Sequence, residues 1–191
     1  MKKLTKLGLL AVIMLVTVML LTGCGNNALN QGSKDEDSVE GLAVYTAEET
    51  PDYTTFDQME GIELKYPSNY VSVGKESLPM FMDPDVLGAT INIVTSAFPS
   101  AMSFEGYVDA SIPGLKQQMK IDGDIKKEYI NLNGRKAARL DYVAVTEGKR
   151  MNVTQILIKK DNKAYVLTLG ALETDKETVS PKFEKIIKSF K

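Results

Sequence analysis

Few side chains in this 191-residue sequence are equipped for chemistry, and their types decide which chemistry is open to it. There is no histidine and no tryptophan, and Cys24 is the single cysteine. Imidazole acid–base catalysis, His/Cys metal sites and internal disulfides are therefore excluded. Ser68, Ser72, Ser77, Ser100 and Ser103 have no histidine to activate them. Asp122-Gly123-Asp124 with Glu128 resembles part of a calcium loop, yet the alternation of oxygen ligands with glycine at the sixth position is missing, so it is read as a turn before a strand. Asp83-Pro84-Asp85 pairs two carboxylates, but nothing in its context sets one apart as the acid of a glycoside hydrolase. The glycines are scattered at turns and form no phosphate-cradling loop. No catalytic residue, metal site or cofactor is assigned, and the chain is not expected to be an enzyme.

The chemistry that does stand out is at Cys24. Lys2, Lys3 and Lys6 precede an apolar run from Leu7 to Leu21, the pattern of an export signal. That run is shorter than a membrane-spanning helix requires and ends in Leu21-Thr22-Gly23-Cys24 rather than in a basic flank. The tetrad resembles the bacterial lipobox. The resemblance implies cleavage before Cys24, whose thiolate is the nucleophile that takes a diacylglyceryl group. Each buried methylene contributes about 0.8 kcal/mol, so two acyl chains hold a protein on its membrane. The expected location is the extracytoplasmic face of the cell membrane, anchored by lipid on Cys24.

Losing residues 1–23 would remove three lysines and no acid, shifting the net charge from −2 to −5. The excess is local. Asp35, Glu36, Asp37, Glu40, Glu48, Glu49 and Asp52 face Lys34 alone, in a stretch poor in large apolar residues. Such a segment cannot bury enough surface to order itself, which predicts a flexible tether over 24–55. Leu42-Ala43-Val44-Tyr45 within it also meets the minimum for a short strand. A balanced charge over the rest argues against a nucleic-acid partner.

The remainder, 56–191, is predicted to form one domain that folds without the tether as a soluble monomer, on a core that a 43% hydrophobic composition can supply. Ile62, Leu64 and Tyr66 alternate with charge and predict a strand paired with a second at Tyr70–Val73, and a third strand spans Ala89–Phe98. Phe104, Val108, Ile112, Leu115 and Met119 mark one side of a helix capped by Ser103, with a kink or break at Pro113-Gly114. Four strands follow at 125–131, 136–145, 151–159 and 163–171. The separators Asn133-Gly134, Glu147-Gly148-Lys149 and Asp161-Asn162 suit hairpins, making an antiparallel meander with both faces partly apolar. Val179, Phe183, Ile186, Ile187 and Phe190 line a closing amphipathic helix, with Ser180 as its cap and Pro181 as its first residue.

The run Asn133-Gly134-Arg135 to Asp141-Tyr142, then Ala164-Tyr165-Val166-Leu167-Thr168, then Phe183-Glu184-Lys185-Ile186-Ile187-Lys188-Ser189-Phe190, resembles the PsbP-like and DcrB-like domains of bacterial lipoproteins. The resemblance covers about 56–191. It implies an α+β fold, an α/β/α sandwich with a central antiparallel sheet and helices on both faces, and no common enzymatic activity. Metal binding in photosystem members is associated with histidines, which this chain lacks.

Two functions fit these features. One is a non-catalytic, lipid-anchored extracytoplasmic module binding a partner protein or envelope component. The other is a carrier of a small apolar ligand, with Met80 and Met82 flanking Phe81 in an adaptable pocket. For the first, Lys126, Lys127, Arg135, Lys136, Arg139, Lys149 and Arg150 outnumber Glu128, Asp141 and Glu147 along the meander. Arg135, Arg139 and Arg150 are the candidate partner-binding residues, since guanidinium forks grip carboxylate or phosphate on an acidic protein, anionic wall polymer or lipid headgroup. The same charges also serve as solvated guards against strand-to-strand aggregation.

Overall fold

Alternating apolar and polar residues, punctuated by turn-forming dipeptides, divide the described residues of the computed structural model, 38–75 and 78–191, into ten strands and two helices. Cys24, the expected export signal and the first part of the expected tether lie outside them. In chain order the elements are β1 (Ala43–Tyr45), β2 (Tyr53–Phe56), β3 (Leu64–Pro67), β4 (Val71–Ser72), β5 (Met80–Met82) and β6 (Thr90–Ala97). They continue with α1 (Phe104–Gln118), β7 (Lys120–Leu132), β8 (Arg135–Thr146), β9 (Lys149–Lys160), β10 (Lys163–Leu172), a 3-10 turn at Glu173–Asp175 and α2 (Lys176–Ser189).

The meander forms with the turns its sequence calls for. Asn133 and Gly134 both take positive φ, 53° and 83°, and so do Glu147 and Gly148, 49° and 75°. These values match the twist of the flanking strands, so the register of β7, β8, β9 and β10 follows from the turns. Asp122-Gly123-Asp124 is not a turn ahead of the strand. It lies inside β7, where the register against β8 shifts between Asp122 and Lys126 and Gly123 takes φ 86°.

The sheet has the order β1-β7-β8-β9-β10-β6-β5-β4, with β2 and β3 paired separately. This corrects the expected α/β/α sandwich with an antiparallel centre and helices on both faces. Strands take 48% of the described residues and helices 21%, and the sheet is mixed because β1 runs parallel to β7. A helix of about 15 residues is roughly 22 Å long and 10 Å wide, whereas eight strands at about 4.8 Å spacing make a sheet some 35 Å across. One helix cannot roof such a face, and β2–β3 completes the cover on one side. Phe56, Ile62 and Leu64 join Val179, Phe183 and Ile187 of α2, and Phe190 just after it, in one core. Phe104, Tyr107, Val108 and Leu115 of α1 enter the other. Neighbouring sheet residues divide between the two, Ala137 from Ala138 and Ile156 from Leu157, as the period of two requires.

Four local expectations change. β3 pairs with β2, not with Tyr70–Val73, and β4 pairs with β5. The reason is that Pro67 ends β3 and the chain reverses through Pro67–Tyr70 into a different sheet. Pro113 sits inside one continuous helix, α1, where Ser103 does accept from the Gly106 N–H at 3.0 Å. Ser180 does not cap α2: the 3-10 turn starts the helix earlier, Pro181 lies within it, and Ser180 Oγ donates to the Lys176 carbonyl at 2.7 Å. Met80 and Phe81 point to opposite faces and are consumed by different cores, so they do not line a common pocket for an apolar ligand.

The tether boundary also moves. Ala43–Tyr45 is the alternative strand, and Tyr53–Phe56 is a second, so the fold begins well before Phe56. Asn133 fastens this segment. Its N–H donates to the Tyr45 carbonyl (2.9 Å) and its Oδ1 accepts from Ala47 N–H (2.8 Å). Its Nδ2 reaches the carbonyls of Lys188 (2.8 Å) and Phe190 (3.1 Å), closing the end of α2. Glu48 and Lys188 add an ion pair. Asn133→Gly keeps the left-handed turn but deletes the side-chain bonds, and should cost about 1–2 kcal/mol. Hydrogen exchange should show the Ala47 amide losing protection first while the β8–β9 amides keep theirs.

Candidate functional site

A groove of about 430 Å³ lies between α2 and the face of β7, β8 and β9. Its apolar floor comes from Val179, Phe183 and Ile187, on the α2 turns that face the sheet. Its polar walls come from residues of β7, β8 and β9, including Asp124, Lys126, Asp141 and Asn152, and from Lys176 and Glu184 on α2. The bulge around Gly123 carries Asp122 and Asp124 to the rim, so an irregularity in β7 shapes the opening.

Arg139 lines this groove. Its Nε donates to Asp141 Oδ2 at 2.8 Å and its Nη1 to Glu184 Oε1 at 2.8 Å, while Thr154 Oγ1 donates to Asp141 Oδ1 at 2.6 Å. Burial works against the guanidinium's charge, but Asp141 and Glu184 outweigh it and hold the group protonated still more firmly than usual. Asn152 contributes an amide nitrogen that is buried and has no hydrogen-bond partner among the described residues.

The three predicted arginines are not assembled into one patch. Arg135 opens β8, and Arg150 lies on β9 opposite Val145 near the far end of β8, which separates them by about 33 Å. Arg135 is half-buried, with one terminal nitrogen lacking a partner among the described residues. Arg150 is gripped by Glu173 at 2.6 and 3.2 Å and also pairs with Asp122. The Glu173 hydrogen bonds raise the Arg150 pKa and lower that of Glu173. Lysines of the meander are neutralised too, Lys127 by Asp109 and Lys136 by Glu105. Glu105 and Asp109 come from α1 and Glu173 from the turn after β10, outside the meander, while Asp122 lies at the start of β7 ahead of the bulge. Glu105 and Asp109 are four residues apart on α1, which is the signal that marks one acidic helix face. Asp141 and Thr154 were legible as well, because the Glu147-Gly148 turn places them directly opposite.

One further spacing is Ser72-Val73-Gly74-Lys75, the Ser-x-x-Lys order used by some acyl-transfer enzymes. In those enzymes it opens a helix. Here Ser72 ends a strand, both residues are exposed, and no hydrogen bond joins them. Among the described residues no group of three or more Asp, Glu or Cys side chains is placed to hold a metal ion, and no helix is long and apolar enough to cross a membrane.

Residues 71–189 match the model of the DcrB family, and the chain belongs to that family. Its domain is of the PsbP-like, DcrB-like type. Among solved structures it is similar to cyanobacterial PsbP (CyanoP) from Synechocystis, at 16% identity over 75% of this chain and 94% of that one, TM-score 0.59. It is similar also to PA94 of Pseudomonas aeruginosa, a protein of unknown function and putative regulator, at 20% identity over 72% and 94%, TM-score 0.51. A third is LpqN of Mycobacterium tuberculosis, involved in cell envelope biogenesis, at 17% identity over 72% and 88%, TM-score 0.50. At these identities the likeness is one of fold. No curated protein matches the chain.

Proposed function

We propose that this protein is a non-catalytic module of the bacterial cell envelope, anchored on the extracytoplasmic face of the cell membrane by lipid on Cys24. It binds a partner protein or an anionic envelope component through the groove between α2 and β7–β9, and no nucleic acid. The observation that carries the binding reading is the groove itself: an apolar floor under mixed-charge walls, with the Arg139–Asp141–Glu184 pairing tying β8 to α2. An open cleft with a few placed polar groups suits recognition. The hydroxyl–carboxylate pair that lines it, Thr154 on Asp141, has its carboxylate already engaged by Arg139, which favours binding over catalysis. LpqN, of the same fold, takes part in cell envelope biogenesis, which supports the envelope setting by analogy. In this reading residues 1–23 are removed, the acidic stretch after Cys24 is the tether, and the folded unit starts near β1.

Two experiments test it. Metabolic labelling with radioactive palmitate should mark the wild-type chain and leave Cys24→Ala unlabelled and uncleaved; equal labelling of both would dispose of the anchor. A photo-crosslinking residue at Asp124 should give a discrete adduct in intact cells, weakened by Lys176→Glu, whereas one at Asp57 should not. The same adducts from both positions would mean that the groove is not the binding surface.

A further inference from the structure

The geometry points to a second site, separate from the groove, that takes the pyranose ring of an envelope saccharide. A cavity of about 320 Å³ opens between the β2–β3 hairpin and the β4–β5 pair, within the size range of small-molecule sites. Its back wall is aromatic. Phe81 is buried and stacks on Tyr66 with ring centroids 4.1 Å apart and planes 25° from parallel, while Phe56 meets Phe81 edge-on at 5.5 Å. These contacts hold the Tyr66 ring in one orientation. Tyr66 itself is only half-buried and borders the cavity, so the uncovered part of its ring is offered to whatever enters.

The rim carries neutral hydrogen-bonding groups and one cation. The hydroxyls of Thr55 and Ser72, the amide of Gln58 and the ammonium of Lys75 line the cavity, all on exposed residues, and none has a side-chain partner among the described residues. Among the described residues no carboxylate lines it. The wall bearing Ser72 and Lys75 is pinned, because the N–H groups of Val73 and Gly74 both donate to the Met80 carbonyl, at 2.9 and 3.3 Å. A Cβ at Gly74 would stand 2.3 Å from the Leu78 oxygen and 2.5 Å from the Met80 nitrogen, so only glycine permits this close approach. A fixed aromatic surface surrounded by unspent hydroxyl, amide and ammonium groups complements a sugar ring, which has an apolar C–H face and a circumference of hydroxyls. Among the described lining residues, one ammonium and no carboxylate suit a neutral or anionic saccharide and repel neither.

The inference narrows the envelope component of the proposed function to saccharide, but rests on residues that share nothing with the groove. Calorimetric titration of the full chain in detergent with N-acetylglucosamine hexamer, and separately with maltohexaose, tests it. Saturable binding to at least one is expected. Tyr66→Ala should weaken it by about tenfold or more, and Gln58→Ala and Lys75→Ala, both at exposed positions that leave the fold intact, by about two- to fivefold each. Lys176→Glu in the groove should change nothing here. Absence of saturable binding to both oligosaccharides, or unchanged affinity in the Gln58 and Lys75 variants, overturns the site whether or not Tyr66→Ala folds, and leaves the groove and the anchor to their own tests.

Discussion

A chain that starts at Phe56 should unfold at a clearly lower urea concentration than one that starts at Ser38, with a loss of about 3 kcal/mol or more. The deletion removes most of β2, the strand with which β3 pairs, and takes away β1. It also strips Tyr45 and Tyr53 from the core that α2 shares with the sheet. Partial burial of two tyrosines contributes about 1 kcal/mol each, and unmaking the Asn133 bonds to Tyr45 and Ala47 adds about 1 kcal/mol more. Uncovering Leu64 and Ile62, now buried, increases the loss. Midpoint and slope from urea unfolding decide the matter: a difference below about 1 kcal/mol would return the domain boundary to residue 56.

The next largest effect is expected at Asp83, whose carboxylate is wholly shielded from solvent. Lys182 of α2 donates to its Oδ2 at 2.7 Å and the Asp85 N–H to its Oδ1 at 3.0 Å, with the ammonium 5.9 Å from the Tyr70 ring centre. Burial alone would push the Asp83 carboxyl up, but these donors and the lysine charge outweigh it and keep it below the ordinary carboxylate range. Lys182→Met strands a buried charge and should cost about 3 kcal/mol, whereas adding Asp83→Asn to it should recover a large part of that loss. The pH dependence has a definite sign. A carboxyl with a depressed folded pKa contributes its stability above the unfolded value near 4, and that contribution disappears as pH falls through the folded pKa. The gap between wild type and Lys182→Met should therefore narrow below about pH 4. A gap that is constant from pH 7 to pH 3 would show that the ion pair is not what joins the loop after β5 to α2.

Where local rules are sufficient, the residues themselves announce the structure. Asn133-Gly134 and Glu147-Gly148 determine hairpins, hairpins determine register, and register alone sets Asp141 opposite Thr154. The apolar spacing of Val179, Phe183, Ile187 and Phe190 identifies the buried side of α2 without reference to anything it packs on. Signals of this kind fail for β1, β2 and β5. Each is three or four residues long, too short for a period to declare itself; β1 is a strand only because β7, far along the chain, supplies its hydrogen bonds, and β2 and β5 are strands because the next strands, β3 and β6, fold back onto them. Acidic composition around Ala43–Tyr45 reads as unstructured on its own, yet β7 leaves an edge for it and Asn133 holds Ala47 just beyond it.

Residue types and short spacings were enough to remove imidazole chemistry and to define the four-stranded meander and the two-faced core. Such features depend on neighbours within one or two turns, which the chain carries wherever it folds. The state of the charges and the shape of the surface belong instead to the assembled fold. Arg139 and Arg150 count as free cations along the meander, but α2 and the segment after β10 bring Glu184 and Glu173 against them from more than twenty residues away. Electrostatic attraction acts through space and not along sequence, so the same arginines that look like a binding patch in one dimension become internal ties in three. The groove and the Tyr66 cavity arise for the same reason, as spaces between elements that no single segment encodes.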